Sequence, residues 1–352
     1  MEFKKSRNVN VGRICIGGGA SVKIQSMCTT KTSDTEATVK QIADLKRAGC
    51  EIVRVSVLDG PDARAISFIK SAVDIPIVAD IHFSSALAVA AIENGADKVR
   101  INPGNIGGES KIKFVADCVK AHKICVRVGA NTGSVEKEYL NKYGKTAAAL
   151  VESALKSASL LEKYGVGDIV ISVKASDVPL TVQAYRLLAS RADYPLHLGV
   201  TEAGTEDMAV VKSAAAIGSL LVDGIGDTLR VSITDDPVKE IYTARRILRA
   251  VGIDKNFVNV ISCPTCGRCC WNSMELAKKV SKYAENINKP LKIAVMGCVV
   301  NGPGEAADCD IGIAGAENYC VIFKNGEVYK RIESADAEKE FFKEIEALLN
   351  AK

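Results

Sequence analysis

Residues 51–81 read EIVRVSVLDGPDARAISFIKSAVDIPIVADI, and they decide the fold. A β-branched run at 51–57 is followed by a turn at Leu58-Asp59-Gly60. Next comes a segment at 61–72 with apolar residues at i, i+3 and i+4, then a second β-branched run at 75–81. Short β-branched runs read as buried strands and the spaced segment as an amphipathic helix. A crossover of that length makes the two strands parallel.

Working outward, the same unit recurs through the first 250 residues. Strands are expected at 22–27, 98–102, 124–128, 168–173 and 195–200, with a last one between 219 and 233. Helices are expected at 34–48, 84–94, 205–217 and 236–251, several opening on a capping Ser, Thr or Asp and closing near glycine. Eight strand–helix units over roughly 230 residues are what a (β/α)8, TIM-type barrel requires. An open doubly wound sheet is the other α/β solution, but it would carry its glycine fingerprint after the first strand. Gly17-Gly18-Gly19 precedes that strand and reads as a turn.

In a parallel barrel the C-terminal strand ends share one mouth. Polar residues recur there: Arg54, Asp80, His82, Arg100, Asn102, Arg127, Asn131, Lys174, Glu202, Arg230 and Ser232. Four arginines and a lysine converging on one site specify a polyanion, and the planar guanidinium suits phosphate oxygens, so a diphosphate is expected. The segment Asp223-Gly-Ile-Gly-Asp-Thr-Leu-Arg230-Val-Ser232 is expected to offer backbone N–H groups to phosphate. Asp80 and Glu202 suit proton transfer or water orientation, or alternatively pair with the arginines and hold them in place.

After a linker at 252–256 the pattern changes to α+β over residues 257–352: strands at 258–261 and 291–295, a helix at 272–287, a hairpin across Asn325-Gly326 and a final helix at 335–349. Seven of the twelve cysteines fall between 263 and 320. Cys263 and Cys266 form a Cys-x-x-Cys pair, and Cys298 lies in a Gly/Pro-rich stretch that ends in Glu305. Thiols so spaced can hold one iron–sulfur centre. Zinc would ask for a second Cys-x-x-Cys or a His pair, yet no histidine follows His197. A thioredoxin-like redox pair would not need Cys298. Cys269, Cys270, Cys309 and Glu305 are the candidates for a fourth ligand, with Cys309 and Cys320 otherwise read as buried small hydrophobes.

The chain of 352 residues is 47% hydrophobic and 25% charged, with 28 glycines and a net charge of +4. This suits a folded α/β protein of one large and one small domain. The charge is too small and dispersed for nucleic acid. No apolar run reaches membrane-spanning length and MEFKKSRNVN lacks a signal-peptide core, so a cytoplasmic protein is expected.

QSMCTTKTSD, ADIHF, VRINPGNIG, VRVGANTGS, SVKASD, HLGVTEAG, DGIGDTLRVS, ISCPTCGR and MGCVVNGPGE, in order from about residue 7 to 350, resemble the bacterial 4-hydroxy-3-methylbut-2-enyl diphosphate synthase family of the methylerythritol phosphate route to isoprenoids. No segment is long enough for the extra domain of plant members, so the resemblance is to the two-domain type. It implies a barrel like that of dihydropteroate synthase at 1–252 and a cluster domain similar to those of sulfite and nitrite reductases at 257–352. The implied reaction is the two-electron reductive opening of 2-C-methyl-D-erythritol 2,4-cyclodiphosphate with loss of water. A 4Fe-4S cluster on Cys263, Cys266, Cys298 and Glu305 is implied. Diphosphate contacts fall on Arg54, Arg100, Arg127, Asn131, Lys174, Arg230 and Ser232, and Glu202 handles the substrate proton. Ferredoxin or flavodoxin is the implied electron donor, and a head-to-tail homodimer shares each site between subunits. A carboxylate ligand is more easily displaced than thiolate, which leaves its iron open to a substrate oxygen. A phosphate-binding barrel transferase of the pterin type with a structural zinc domain is the alternative.

Overall fold

The computed structural model describes residues 3–102, 106–285, 287–300, 304 and 306–351. The chain divides into two compact units, Met1–Val251 and Gly252–Lys352. Among the described residues, no helix is long and apolar enough to cross a membrane.

In the first unit a hairpin, β1 (Val9–Val11) and β2 (Ile14–Ile16), precedes eight parallel strands: β3 (Lys23–Met27), β4 (Ile52–Ser56), β5 (Ile77–Asp80), β6 (Lys98–Ile101), β7 (Cys125–Asn131), β8 (Ile169–Lys174), β9 (His197–Leu198) and β10 (Thr228–Leu229). Neighbours pair in chain order from β3 to β8, while β10 lies between β9 and β3. A parallel bridge from Ile171 of β8 to Leu196 closes the ring, making the expected barrel. Nine helices are described around it: α1 (Thr35–Ala48), α2 (Gly60–Ala72), α3 (Ser85–Glu93), α4 (Glu109–His122), α5 (Lys137–Tyr143), α6 (Ala147–Lys163), α7 (Val178–Arg191), α8 (Glu206–Val222) and α9 (Pro237–Ala250). Their starts follow the local chemistry. Asp34, Asp59, Ser84, Asp177 and Asp236 each accept a backbone N–H of the first turn, and α1 ends on Gly49 in the left-handed region.

Two features depart from the sequence reading. The β1–β2 hairpin was not expected. Its Val9, Val11 and Ile16 pack on Cys125 and Val170, near the starts of β7 and β8, and so cover the N-terminal end of the barrel. Gly17, Gly18 and Gly19 form the turn after it, all with positive φ, and a Cβ on Gly17 would sit 2.0 Å from the Arg7 carbonyl oxygen. Second, β7 runs on to Asn131 whereas β9 is only two residues long. Pro195 has no N–H to donate to a ladder, and a Cβ on Gly199 would meet Lys174 Nζ at 2.5 Å and the Arg230 carbonyl oxygen at 2.7 Å.

The second unit is a five-stranded sheet in chain order: β11 (Val258–Ser262), β12 (Leu291–Met296), β13 (Ile311–Gly315), β14 (Tyr319–Lys324) and β15 (Glu327–Glu333). The first three run parallel, and the β14–β15 hairpin turns across Asn325-Gly326. Helices α10 (Ser273–Ala284) and α11 (Ala337–Ala351) build the main core with it, through Leu276, Val280, Phe341 and Ile345 against Ile293, Ile313 and Ile322. Strand β13 was not foreseen because glycine interrupts its apolar run. Gly312 leaves room for the Phe323 ring and Gly315 for the Trp271 indole.

Candidate functional site

Side chains alternate along a strand, so residues two apart share a face. The β3 position Met27 pairs with Arg54 of β4, Asp80 of β5 pairs with Arg100 of β6, and Arg100 pairs with Arg127 of β7. Asn131 pairs with Lys174 on the same parity of β7 and β8. One face of the sheet therefore gathers Arg54, Asp80, Arg100, Arg127 and Lys174 into the barrel interior, where all but half-buried Arg54 are buried.

The carboxylate of Asp80 is the hub. Arg100 Nη1 donates to its Oδ1 at 3.2 Å, while His82 Nε2 and Arg54 Nε lie 3.4 and 3.8 Å from its Oδ2. Burial alone would raise this carboxyl's pKa, but Arg54, the His82 hydrogen bond, Arg100 and Arg127 together hold it well below the usual carboxylate range. For Asp80, pairing with the arginines describes the geometry. Arg54 also points Nε and Nη2 at Met27 Sδ, at 3.0 and 2.7 Å. On the other side of Met27, Arg230 is gripped at two points by Glu240, Nε to Oε2 at 3.1 Å and Nη2 to Oε1 at 2.8 Å. Glu240 stands in the first turn of α9 and also accepts from Ser26 Oγ at 2.8 Å.

The cations outnumber these acids. The guanidiniums of Arg54, Arg100, Arg127 and Arg230 face two carboxylates among the described residues, Asp80 and Glu240, leaving two positive charges in excess before Lys174 is counted. Arg127 is 2% exposed, and among the described residues its Nε and Nη1 have no hydrogen-bond partner, like Nε of Arg100. Burial pushes Lys174 well below the ordinary lysine range, and Arg127, Arg54, Arg230 and Arg100 push it further. Buried donors are ordinarily satisfied, so a cluster of orphans beside surplus charge is a place for an anion.

The remaining expected residues lie at the same strand ends. Asn102 is buried just after β6, and Asn131 ends β7, where its backbone N–H donates to Ser134 Oγ at 3.1 Å. Ser232 is half-buried after β10. Glu202 is exposed in the loop after β9 with φ of 54°, a left-handed conformation that a residue with a Cβ adopts at a cost. The expectation for Gly224 and Gly226 is overturned. They precede β10, at the end opposite the mouth, where the Gly224 carbonyl accepts from Lys4 N and Asp227 accepts from Ser6 Oγ and Leu196 N. This loop is occupied in tying down the N-terminal segment.

Glu240, Met27 and Lys98 escaped the sequence reading. The signal for Glu240 was an acid on the apolar stripe of α9 beside Ile241, Ala244 and Ile247, which requires a buried partner.

In the second unit Cys263 directly follows β11 and Cys298 comes two residues after β12, its parallel neighbour, so both thiols stand at one edge of the sheet. Gly297 N–H donates to Cys263 Sγ at 3.0 Å. Cys266 is exposed, and Arg268 lowers its thiol pKa through a backbone and a side-chain hydrogen bond. Cys269 is half-buried, its Sγ 3.2 Å from the Trp271 carbonyl oxygen, and Cys270 is exposed. Cys309 and Cys320 are core residues, with burial pushing the Cys309 thiol up to about 11. Among the described residues no three His, Cys, Asp or Glu side chains are gathered around one point. Glu305 lies outside the described residues. The donor set nevertheless fits an iron–sulfur group: three thiols free of disulfides on two loops at one end of the sheet, Cys263 and Cys266 already receiving a backbone N–H, and no imidazole in this unit.

Comparison with known proteins agrees with this layout. Residues 6–245 match the family model described as the GcpE TIM-barrel domain, and residues 259–347 match the GcpE protein C-terminal domain. A protein of Caldanaerobacter subterraneus subsp. tengcongensis named 4-hydroxy-3-methylbut-2-en-1-yl diphosphate synthase (flavodoxin) is 55% identical over 98% of this chain and 98% of its own length. A Clostridium perfringens protein of the same name is 50% identical, covering 99% of this chain and 100% of the relative. Among solved structures, Xanthomonas albilineans dihydropteroate synthase in complex with 7,8-dihydropteroate superposes with a TM-score of 0.50 at 14% identity, over 70% of this chain and 99% of that one. That likeness shows the barrel fold alone. With both family models matched in chain order and half-identical relatives spanning nearly its full length, the chain belongs to the GcpE family.

Proposed function

We propose that the chain catalyses the reaction for which its relatives are named, converting 2-C-methyl-D-erythritol 2,4-cyclodiphosphate, two electrons and a proton to 4-hydroxy-3-methylbut-2-enyl diphosphate and water. It is then an oxidoreductase of isoprenoid biosynthesis. The observation that carries this reading is Arg127, buried with two unpartnered N–H groups among surplus cations. A diphosphate supplies the missing acceptors and charge in one ligand.

In this reading Arg54, Arg100, Arg127, Lys174 and Arg230 hold the diphosphate, and His82, Asn102, Asn131 and Ser232 complete the rim. Asp80 and Glu240 fix the orientation of arginines before substrate arrives, so little reorganisation is needed when charge shifts from ring ester to free diphosphate. Glu202, exposed at the mouth in a strained conformation, carries the proton that leaves with the C3 hydroxyl as water. Cys263, Cys266, Cys298 and Glu305 would hold a 4Fe-4S cluster, which supplies two electrons one at a time. Flavodoxin, present in the relatives' names, is the proposed donor. The site is completed by the cysteine domain of a second copy in a head-to-tail homodimer, and the protein works in the cytoplasm.

The test is anaerobic consumption of the cyclodiphosphate with a chemical reductant, before and after reconstitution with iron and sulfide. Turnover should appear only after reconstitution. Equal turnover by metal-free or zinc-loaded protein defeats the reading. Mixing Arg54→Ala with Cys298→Ser protein should restore activity if sites are shared, and no recovery after verified subunit exchange sinks that arrangement.

A further inference from the structure

Within the barrel lies a lysine that no carboxylate of the described residues meets. Lys98 opens β6, has 0% exposure, and reaches across the interior to β3, where its Nζ is 3.5 Å from Gln25 Oε1. The charged and titratable groups acting on it are Arg54 from β4 and Cys125 and Arg127 from β7. His197 on β9 bonds the Thr228 hydroxyl of β10 through Nδ1 at 2.8 Å, and Asp80 on β5 is already engaged by Arg54, Arg100 and His82. Lys174 stands at the far end of β8. Among the described residues the donors Gln25 Nε2 and Arg127 Nε and Nη1 are buried without partners. The interior is thus rich in donors and cations and short of acceptors.

We propose that Lys98 is the floor of the anion site and takes up a proton from solvent as a diphosphate binds, so that ligand binding and protonation are coupled. This rests on the diphosphate reading above. In the free protein a further cation beside Arg127 and Arg54 adds repulsion that a neutral amine avoids. An incoming dianion reverses the sign of that interaction and recharges the amine. Burial, Arg127 and Arg54 bring Lys98 down to about 8 against the opposing pull of Cys125, which puts the change within reach of ordinary buffers. Below that range Lys98 is charged in both states and takes up no proton. Above it, binding must bring a proton in, so affinity falls as pH rises. The ligand contributes nothing here, because each phosphorus of a cyclic diphosphate has one ionisable oxygen that is already ionised at neutral pH.

The experiment is calorimetric titration of the full-length protein with 2-C-methyl-D-erythritol 2,4-cyclodiphosphate without reductant, in two buffers of different ionisation enthalpy. Because Lys174 is also pushed down and can gain a proton of its own, the readout is the difference from Lys98→Met: wild type should take up about half a proton more than that variant near pH 8.5 and no more than it near pH 6.5. Lys98→Met removes the titrating group, and Gln25→Glu places a carboxylate beside Lys98 that keeps it charged before the ligand arrives. Both variants should lose this share of the uptake and flatten the fall in affinity above about pH 8. Uptake unchanged in both overturns the inference while leaving the substrate reading intact. A wild-type protein that binds no cyclodiphosphate overturns both together.

Discussion

The carboxylate of Glu240 meets the guanidinium of Arg230 edge to edge, at 2.8 and 3.1 Å, while also accepting from Ser26 Oγ and the Ile233 backbone N–H. One buried acid thereby ties β10, β3 and α9 together beneath the proposed anion site. Glu240→Ala leaves Arg230 half-buried without its counter-charge and removes acceptors from two further donors. The expected loss is on the order of 3 kcal/mol, read as a lower denaturant midpoint at unchanged slope. Glu240→Gln should lose less, because an amide oxygen still accepts.

Asp80 offers a prediction in pH. Its folded-state carboxyl is held well below the ordinary range by Arg54, His82, Arg100 and Arg127, against burial. A depressed folded pKa contributes stability that is present above the unfolded value of about 3.9 and is lost as pH falls through the folded pKa. The stability gap between wild type and Asp80→Asn should therefore stay flat from neutrality to about pH 5 and narrow only in stronger acid. Urea denaturation of both proteins across that range checks it, and a gap that closes near neutrality contradicts the ion-pair account.

Such pairings mark the limit of what the sequence made legible. The barrel could be read from 51–81 because burial of both faces of a parallel strand leaves an unbroken β-branched run, and capping residues punctuate the helices. The arginines could be read from their common place near strand ends. What they touch could not. Glu240 meets Arg230 only once the loop after β10 folds back onto its helix, and Gln25, 73 residues from Lys98, meets it only across the assembled barrel. The β1–β2 hairpin was missed because strands of three residues carry little periodicity, and β13 because Gly312 and Gly315 interrupt it. The phosphate role given to Gly224 and Gly226 failed because glycines before a strand and after one look alike until the strand's direction is known.

Gly199 tests how closely the mouth is built. A Cβ there would come within 2.5 Å of Lys174 Nζ and 2.7 Å of the Arg230 carbonyl oxygen. The lysine can swing away, but the carbonyl is backbone held directly after β10. Gly199→Ala should displace Lys174 from the anion site and weaken cyclodiphosphate binding by about tenfold, equivalent to roughly 1.4 kcal/mol. Affinity measured by calorimetry, alongside an unfolding curve, separates this local effect from a general loss of fold.

The cysteines should divide by chemistry when pulsed with iodoacetamide and mapped by mass spectrometry. Thiolate is the reactive form, so exposure and pKa set the order. Cys266 and Cys270 are exposed, and Arg268 favours the thiolate of Cys266, so these two should label first in metal-free protein, Cys266 ahead. Cys28, Cys50 and Cys125 are buried with thiols pushed up to about 12, and should stay unlabelled until the protein unfolds. Reconstitution with iron and sulfide then discriminates among the exposed and half-buried sites of the second unit. Cys263, Cys266 and Cys298 should become protected as ligands while Cys270 continues to react. If Cys270 is protected and Cys298 is not, the ligand set is wrong, whatever the activity of the reconstituted protein.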